Sequence, residues 1–354
     1  MSQTKANHSN FSNCWLTLNR QCNLRCKWCY AQDTDFKPMD DMNFSLACQI
    51  IDLCSEIGIK HITLIGGEPT LYNYLFDVIE YAKRKNIKTG IVTNGVKLSD
   101  KSFLMQLINA GISSISISLK GENKKVFYSI SNVDAFDLVM NGIDNCSKAN
   151  IPFSVSMVLT NENIPSFIDG LEEAQKRGAK SFHLSFCYEF NMDYCSTNLL
   201  SLMNVVELPK QFKSCYSSLK EKIKGKFSLF QTLPLCLWEK SFIDEMIKDN
   251  HVSSVCQLLR KTGLLFDTNG YLIPCNAMHK IKIGKINDDF NDGKTLLQYE
   301  DLKFVEKIYN KLRGVPSEEC LRCNDLKNCG GGCVCQWTNF SFDDIRPFIN
   351  KSFS

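Results

Sequence analysis

The sequence predicts an α/β fold: a partial (β/α)6 TIM-like barrel followed by a C-terminal loop-rich, cysteine-dense domain. Three observations predict it. Strand-like and helix-like segments alternate in regular order from residue 14 to residue 188. Several of the strands alternate apolar residues with small polar ones. From Cys256 onward the chain reads as a loop-rich, cysteine-dense stretch that ends near Trp337.

The elements follow in order. Cys14–Asn19 reads as a strand that runs directly into a cysteine loop. Asn43–Ile57 reads as a helix, with Phe44, Ala47, Ile51 and Cys54 on one face and Gly58 as its stop. Ile62–Ile65 is a strand, Tyr74–Lys85 a helix, Lys88–Thr93 a strand and Ser102–Ala110 a helix. Strand Ser114–Leu119, helix Ala135–Lys148, strand Phe153–Leu159, helix Pro165–Lys176 and strand Ser181–Cys187 complete the series. In the last three strands Ser114, Ser116, Ser118, Ser154, Ser156, His183, Ser185 and Cys187 share one parity. Parallel strands packed on both faces are nearly all apolar, so this polar parity predicts a wet, ligand-holding lumen.

The expected organisation is a tail over 1–13, the barrel over 14–188 and a helical linker region over 189–255. The cysteine-dense domain then covers 256–337 and a second tail 338–354. An amphipathic helix is expected near Asn204–Lys224. The 41 basic and 38 acidic residues leave a net charge of +3, which argues for neither nucleic acid nor an anionic membrane as partner. No apolar run approaches the roughly 20 residues that span a bilayer. The start of the chain is not a signal peptide, so the expected location is the reducing cytoplasm. There, 18 cysteines point to metal rather than to disulfides.

Cys22, Cys26 and Cys29 lie in one tight loop after the first strand, with Trp28 before the last of them. A structural zinc site takes four protein ligands, and His61 is too remote in sequence to be a natural fourth. Three thiolates can instead hold a [4Fe–4S] cluster with one iron open. This spacing resembles the radical S-adenosylmethionine (SAM) superfamily. The resemblance extends to Gly66, Gly67, Glu68 and Pro69 at the end of the Ile62–Ile65 strand, the segment that binds the SAM amino group in that family. Thr93 and Asn94 resemble a further site-lining turn, and Ser116 and Ser118 stand where the family offers hydroxyls to SAM. The resemblance implies reductive cleavage of SAM to a 5′-deoxyadenosyl radical, which abstracts a hydrogen atom from the substrate. It also implies an electron donor such as flavodoxin or ferredoxin.

Downstream, Cys256, Gly270, Cys275, Cys320, Cys323, Cys329 and Cys333 resemble the SPASM module, which holds two auxiliary [4Fe–4S] clusters. The C-terminal domain is therefore expected to be an iron–sulfur domain. By the family pattern Cys256, Cys275 and Cys333 ligate one cluster, and Cys320, Cys323 and Cys329 the other. Each lacks a fourth ligand. Cys335 is the only later cysteine and must bend back to serve; Cys236 could complete the first cluster, or that iron stays open. The remaining alternative for this stretch is structural zinc.

SPASM enzymes commonly modify peptides. The expected reaction is a thioether or carbon–carbon cross-link, or epimerisation, in a peptide substrate. Asn276 replaces the acid beside Cys275 that sulfatase-maturing members use as a base, which disfavours formylglycine formation. Only 21 residues precede Cys22, so the barrel itself or a separate leader-binding protein is expected to read any leader. Cys187 is a candidate hydrogen-atom donor at a C-terminal strand end, and Glu189 a candidate proton acceptor. Two alternatives stand beside this reading: radical oxidation or rearrangement of a small molecule such as a sugar or cofactor precursor, and a non-enzymatic zinc-binding interaction module.

Overall fold

A computed structural model describes residues 11–29, 31, 40–160, 162–187, 202–230, 233–253, 262–299, 315–334, 337 and 341–350. Its centre is one mixed sheet, whose first six strands are β1 (Asn13–Thr17), β2 (His61–Ile65), β3 (Lys88–Thr93), β4 (Ser114–Ser118), β5 (Phe153–Leu159) and β6 (Ser181–Phe186). These pair in parallel and in sequence order. The helices between them are α1 (Phe44–Glu56), α2 (Leu75–Arg84), α3 (Lys101–Ala110), α4 (Lys124–Ser131), α5 (Phe136–Lys148) and α6 (Phe167–Lys176). Parallel neighbours need such crossovers, and their apolar stripes bury against the sheet.

Local chemistry sets the helix ends. Asn43 caps α1 by accepting from the Ser45 N–H at 2.9 Å. Asp100 caps α3 through the N–H groups of Ser102 and Phe103, and Gly111 at φ +107° ends it.

The strand alternation has the predicted consequence. Ile115, Ile117, Val155, Met157, Phe182, Leu184 and Phe186 are buried under the helices, while the serines between them stay half-exposed. Register then aligns the polar positions across strands: Ser116 lies opposite Ser154, and Ser118, Ser156, His183 and Ser228 form one row. The His183 Nδ1 lies 3.1 Å from the Ser228 hydroxyl.

The sheet is wider than a six-stranded barrel. After the helix α7 (Leu202–Lys222), β7 (Lys226–Phe230) and β8 (Val252–Ser253) extend it in parallel beyond β6. On the other side β9 (Gly263–Phe266) pairs in parallel with β1, and β10 (Tyr271–Leu272) and β11 (Gly284–Lys285) add antiparallel. Residues 189–255, expected to be a helical linker, therefore contribute two strands, and β9–β11 join the same sheet from beyond residue 256. Among the described residues, no helix is long and apolar enough to cross a membrane.

Candidate active site and auxiliary cysteine cluster

The cysteine loop sits at the C-terminal ends of the parallel strands, where α/β folds place their sites. Three neighbouring segments hold it, two through the backbone and one through a side chain. Gly67 N–H donates to the Asn19 carbonyl at 2.9 Å, Glu68 N–H to the Gln21 carbonyl at 2.7 Å, and the Asn19 side-chain amide to the Glu68 carbonyl at 2.8 Å. Arg25 N–H donates to the Ser131 carbonyl at 2.8 Å and Lys27 N–H to the Ile130 carbonyl at 3.1 Å, so the end of α4 supports the other flank. From the β3 turn, the Asn94 side-chain amide donates to the Asn23 side chain at 2.6 Å.

This contact explains the glycine pair. A Cβ on Gly67 would lie 2.3 Å from the Arg20 carbonyl and 2.4 Å from that of Gln21, both backbone atoms unable to yield. A Cβ on Gly66 would lie 2.1 Å from the Asn19 side-chain oxygen. The glycines let two backbones touch immediately upstream of Cys22.

Glu68 is buried at 1 % exposure. One carboxylate oxygen accepts from the Thr70 N–H at 3.1 Å, the Thr70 hydroxyl at 2.6 Å and the Thr93 hydroxyl at 2.6 Å. The other accepts from the Asn94 N–H at 2.7 Å. Burial pushes its carboxyl up, and those four donors pull it back. Glu68 thus fastens the end of β2 to the end of β3, with lone-pair capacity left on the second oxygen. Pro69 opens the short turn Pro69–Leu71 that Glu68 caps.

The three loop thiols are half-buried and act on one another electrostatically. Burial pushes the Cys22 thiol up to about 12, against the Leu24 N–H that donates to its sulfur at 3.4 Å. Burial likewise pushes Cys29 up to about 11, opposed by the Ala31 N–H and by the charges of Lys120 and Arg20. A soft thiolate set with backbone donors on its sulfurs suits an iron–sulfur cluster, and three members leave one corner open. Trp28 is half-buried against the apolar core beside them.

Two cations here carry no sequence signal. Lys120 donates to the Ser118 hydroxyl at 2.6 Å and acts on Cys29, so it bridges the serine-bearing strand and the cysteine loop. Arg20 is buried, and its charge also acts on Cys29. Ser116 lies half-exposed on the open face of β4, one register row from Ser118.

Cys187 lies just past the last residue of β6, 5 % exposed and within the main apolar cluster. Its N–H still donates to the Leu159 carbonyl at 2.9 Å, but its side chain is buried rather than on the half-exposed face that the strand alternation assigns to it. Glu189, Cys256 and Cys335 lie outside the described residues.

In the C-terminal module, Cys275 and Cys333 pack around Met278. Cys320, Cys323 and Cys329 line one cleft, and Cys236 lines it with them. Burial, with Cys329, Cys320 and Cys323 nearby, pushes the Cys236 thiol up to about 12. Sequence reasoning associates Cys236 with the first cluster; in space it joins the second group. The Asn276 side-chain oxygen is buried and makes no hydrogen bond among the described residues.

Comparison with known proteins places this geometry. Residues 16–174 match the radical SAM superfamily. Fe-coproporphyrin III synthase of Methanosarcina barkeri is 30 % identical over 174 residues, 48 % of this chain and 43 % of that protein. A probable GTP 3′,8-cyclase of Sulfurisphaera tokodaii is 32 % identical over 175 residues, 48 % of this chain and 54 % of that protein. The chain spans about half the length of the curated relatives it matches. Among solved structures, Streptococcus suis SuiB bound to precursor peptide SuiA aligns over 92 % of this chain and 76 % of its own, with TM-score 0.70 and 19 % identity. The anSMEcpe structure with bound AdoMet aligns over 92 % of this chain and 90 % of its own, with TM-score 0.68 and 19 % identity. These two show a shared fold.

Proposed function

From the radical SAM domain that this chain carries, we propose a radical SAM enzyme that acts on a peptide. The observation that carries the peptide reading is the extent of the fold match. It covers 92 % of the chain, well beyond the radical SAM domain, for SuiB with its precursor peptide and for anSMEcpe. An anSMEcpe complex with the Kp18Cys peptide, TM-score 0.65 at 20 % identity, points the same way.

When bound, the [4Fe–4S] cluster and SAM supply the 5′-deoxyadenosyl radical. The chain's own residues would then do the following. Cys22, Cys26 and Cys29 hold three irons. Gly66–Glu68 and the Thr93–Asn94 turn shape the wall that meets the SAM methionine, with the free lone pair of Glu68 facing an ammonium. Ser118 and Lys120 offer a hydroxyl and a cation to its carboxylate. The row from Ser118 to Ser228 gives the substrate backbone a polar floor.

A cross-link or an epimerised residue is the proposed product. In the epimerisation case Cys187 is the proposed hydrogen-atom donor. A flavodoxin or ferredoxin is the proposed electron source, and a separate leader-binding protein the proposed aid to recognition. A second reading, a small-molecule substrate, rests on the curated relatives, whose names specify a porphyrin product and GTP.

The test has two parts. Reductant and SAM should yield 5′-deoxyadenosine from the anaerobic holoenzyme and none from Cys26→Ala; equal cleavage by both sinks the radical SAM site. Co-expression with a candidate peptide should then change its mass by the loss of two hydrogens for a cross-link. Unchanged mass with solvent deuterium uptake means epimerisation. No change in any peptide, with turnover of a small molecule, overturns the peptide reading.

A further inference from the structure

Cys236 precedes Cys320 by more than 80 residues, yet it lines the same cleft as Cys320, Cys323 and Cys329. The approach is built from both sides. Cys236 sits in the short turn Leu235–Leu237, where Pro234 sets the entry and the Leu235 N–H donates to the Cys329 sulfur at 3.3 Å. The Cys236 carbonyl accepts from the Asn350 N–H at 2.7 Å.

Facing it, Gly330, Gly331 and Gly332 take φ values of +61°, +81° and +82°. That left-handed run turns the Gly331 and Gly332 N–H groups onto the Cys329 sulfur. It also brings the chain against Pro234, where a Cβ on Gly332 would come within 3.1 Å of the ring. Cys320 and Cys323 are tied by the Cys323 N–H donating to the Cys320 carbonyl at 3.2 Å. Among the described residues, no three His, Cys, Asp or Glu side chains converge on a point as ligands of a single ion do. These four thiols instead ring a cleft.

We propose that Cys236 is the fourth ligand of the Cys320–Cys323–Cys329 site, and that this site holds a [4Fe–4S] cluster closed by four thiolates. A closed cluster has no iron free for substrate, so it serves as an electron relay and as a staple between the module and the segment before it. Backbone N–H groups on Cys329 favour its reduced form, since they stabilise added negative charge. The open auxiliary position is then left to the Cys256, Cys275 and Cys333 group. This inference rests on the iron–sulfur reading of the module and not on the nature of the substrate.

The test uses the full chain with Cys22, Cys26 and Cys29 replaced by Ala, so that only the module binds iron. Cys236→Ala and Cys335→Ala are compared in that background after anaerobic reconstitution with iron and sulfide. Cys236→Ala should lose about four irons per chain, or on mild oxidation show one additional [3Fe–4S] electron paramagnetic resonance spin per chain. Cys335→Ala should match its parent, and Cys236→Ser should recover iron with a shifted spectrum. Parent-like iron and spin count in Cys236→Ala overturns the ligand assignment, as does loss in Cys335→Ala alone. Zinc in the parent module, or no iron there, overturns the cluster itself. Far-UV circular dichroism of each variant separates ligand loss from unfolding.

Discussion

Replacing Glu68 by Gln removes one charge and exchanges one acceptor for a donor, in a side chain of almost the same size. The carboxylate receives four hydrogen bonds, three on one oxygen and one, from the Asn94 N–H, on the other. A glutamine amide oxygen can keep the first three. Its NH2 group then faces the Asn94 N–H, donor against donor, in a site closed to water. An unsatisfied buried donor costs about 1–3 kcal/mol, and the three retained bonds lose their charge assistance, roughly half their strength. Relief from burying a charge, the cause of the raised carboxyl, offsets part of this. The net expectation is about 2–3 kcal/mol. Equilibrium urea unfolding of the apoprotein, compared at equal m, measures it directly. A change under about 0.5 kcal/mol, with impaired SAM binding, would refute the argument that Glu68 fastens β2 to β3 and leave it a ligand alone.

Four further outcomes are expected. Gly67→Ala, with its Cβ at 2.3 Å from the Arg20 carbonyl, should displace the cysteine loop. Iron content should then fall by about four per chain while far-UV dichroism stays near the parent's. Lys120→Met removes a charged donor beside Ser118 and Cys29 and should weaken SAM binding about 10- to 100-fold by calorimetry, the equivalent of about 1.5–3 kcal/mol. His61, His183 and His251 are each held below the ordinary histidine value by burial. The unfolded chain therefore takes up protons that the folded chain refuses. Stability should be fullest above about pH 6.5 and fall as pH drops below it, read as urea midpoints at several pH values. The apoprotein's Cys22 and Cys29 thiols are neutral near pH 7 because burial raises them, so cluster assembly should release protons, measurable as pH change in weak buffer.

What the sequence made legible was local. The alternation of Ser and Ile in 114–118 fixes which face of β4 is apolar from β4 alone, and burial follows it residue by residue. The spacing of Cys22, Cys26 and Cys29 and the Gly66–Pro69 turn are likewise contained in single short segments. What was not legible depends on contacts between distant segments. The α4 helix is two turns long and carries no long apolar stripe, yet its end supports the cysteine loop. The β7 and β8 strands are short and gain their identity from pairing with β6 and with each other. Lys120 is an ordinary lysine until β4 delivers it to Cys29, and Cys236 an ordinary cysteine until Pro234 meets Gly332.

The pairing of β9 with β1 has a consequence for how the chain can be divided. Four registered residue pairs, Asn13 with Gly263 through Leu16 with Phe266, cover one side of the strand that leads into the cysteine loop. Cutting the chain at residue 188 would strip that cover and also remove β7 from the outer side of β6. The resulting fragment would present two raw sheet edges, the template for intermolecular strand pairing and aggregation. The N-terminal half is thus not a portable unit, and insolubility of such a fragment would report exposed backbone rather than a failure of its sheet to form.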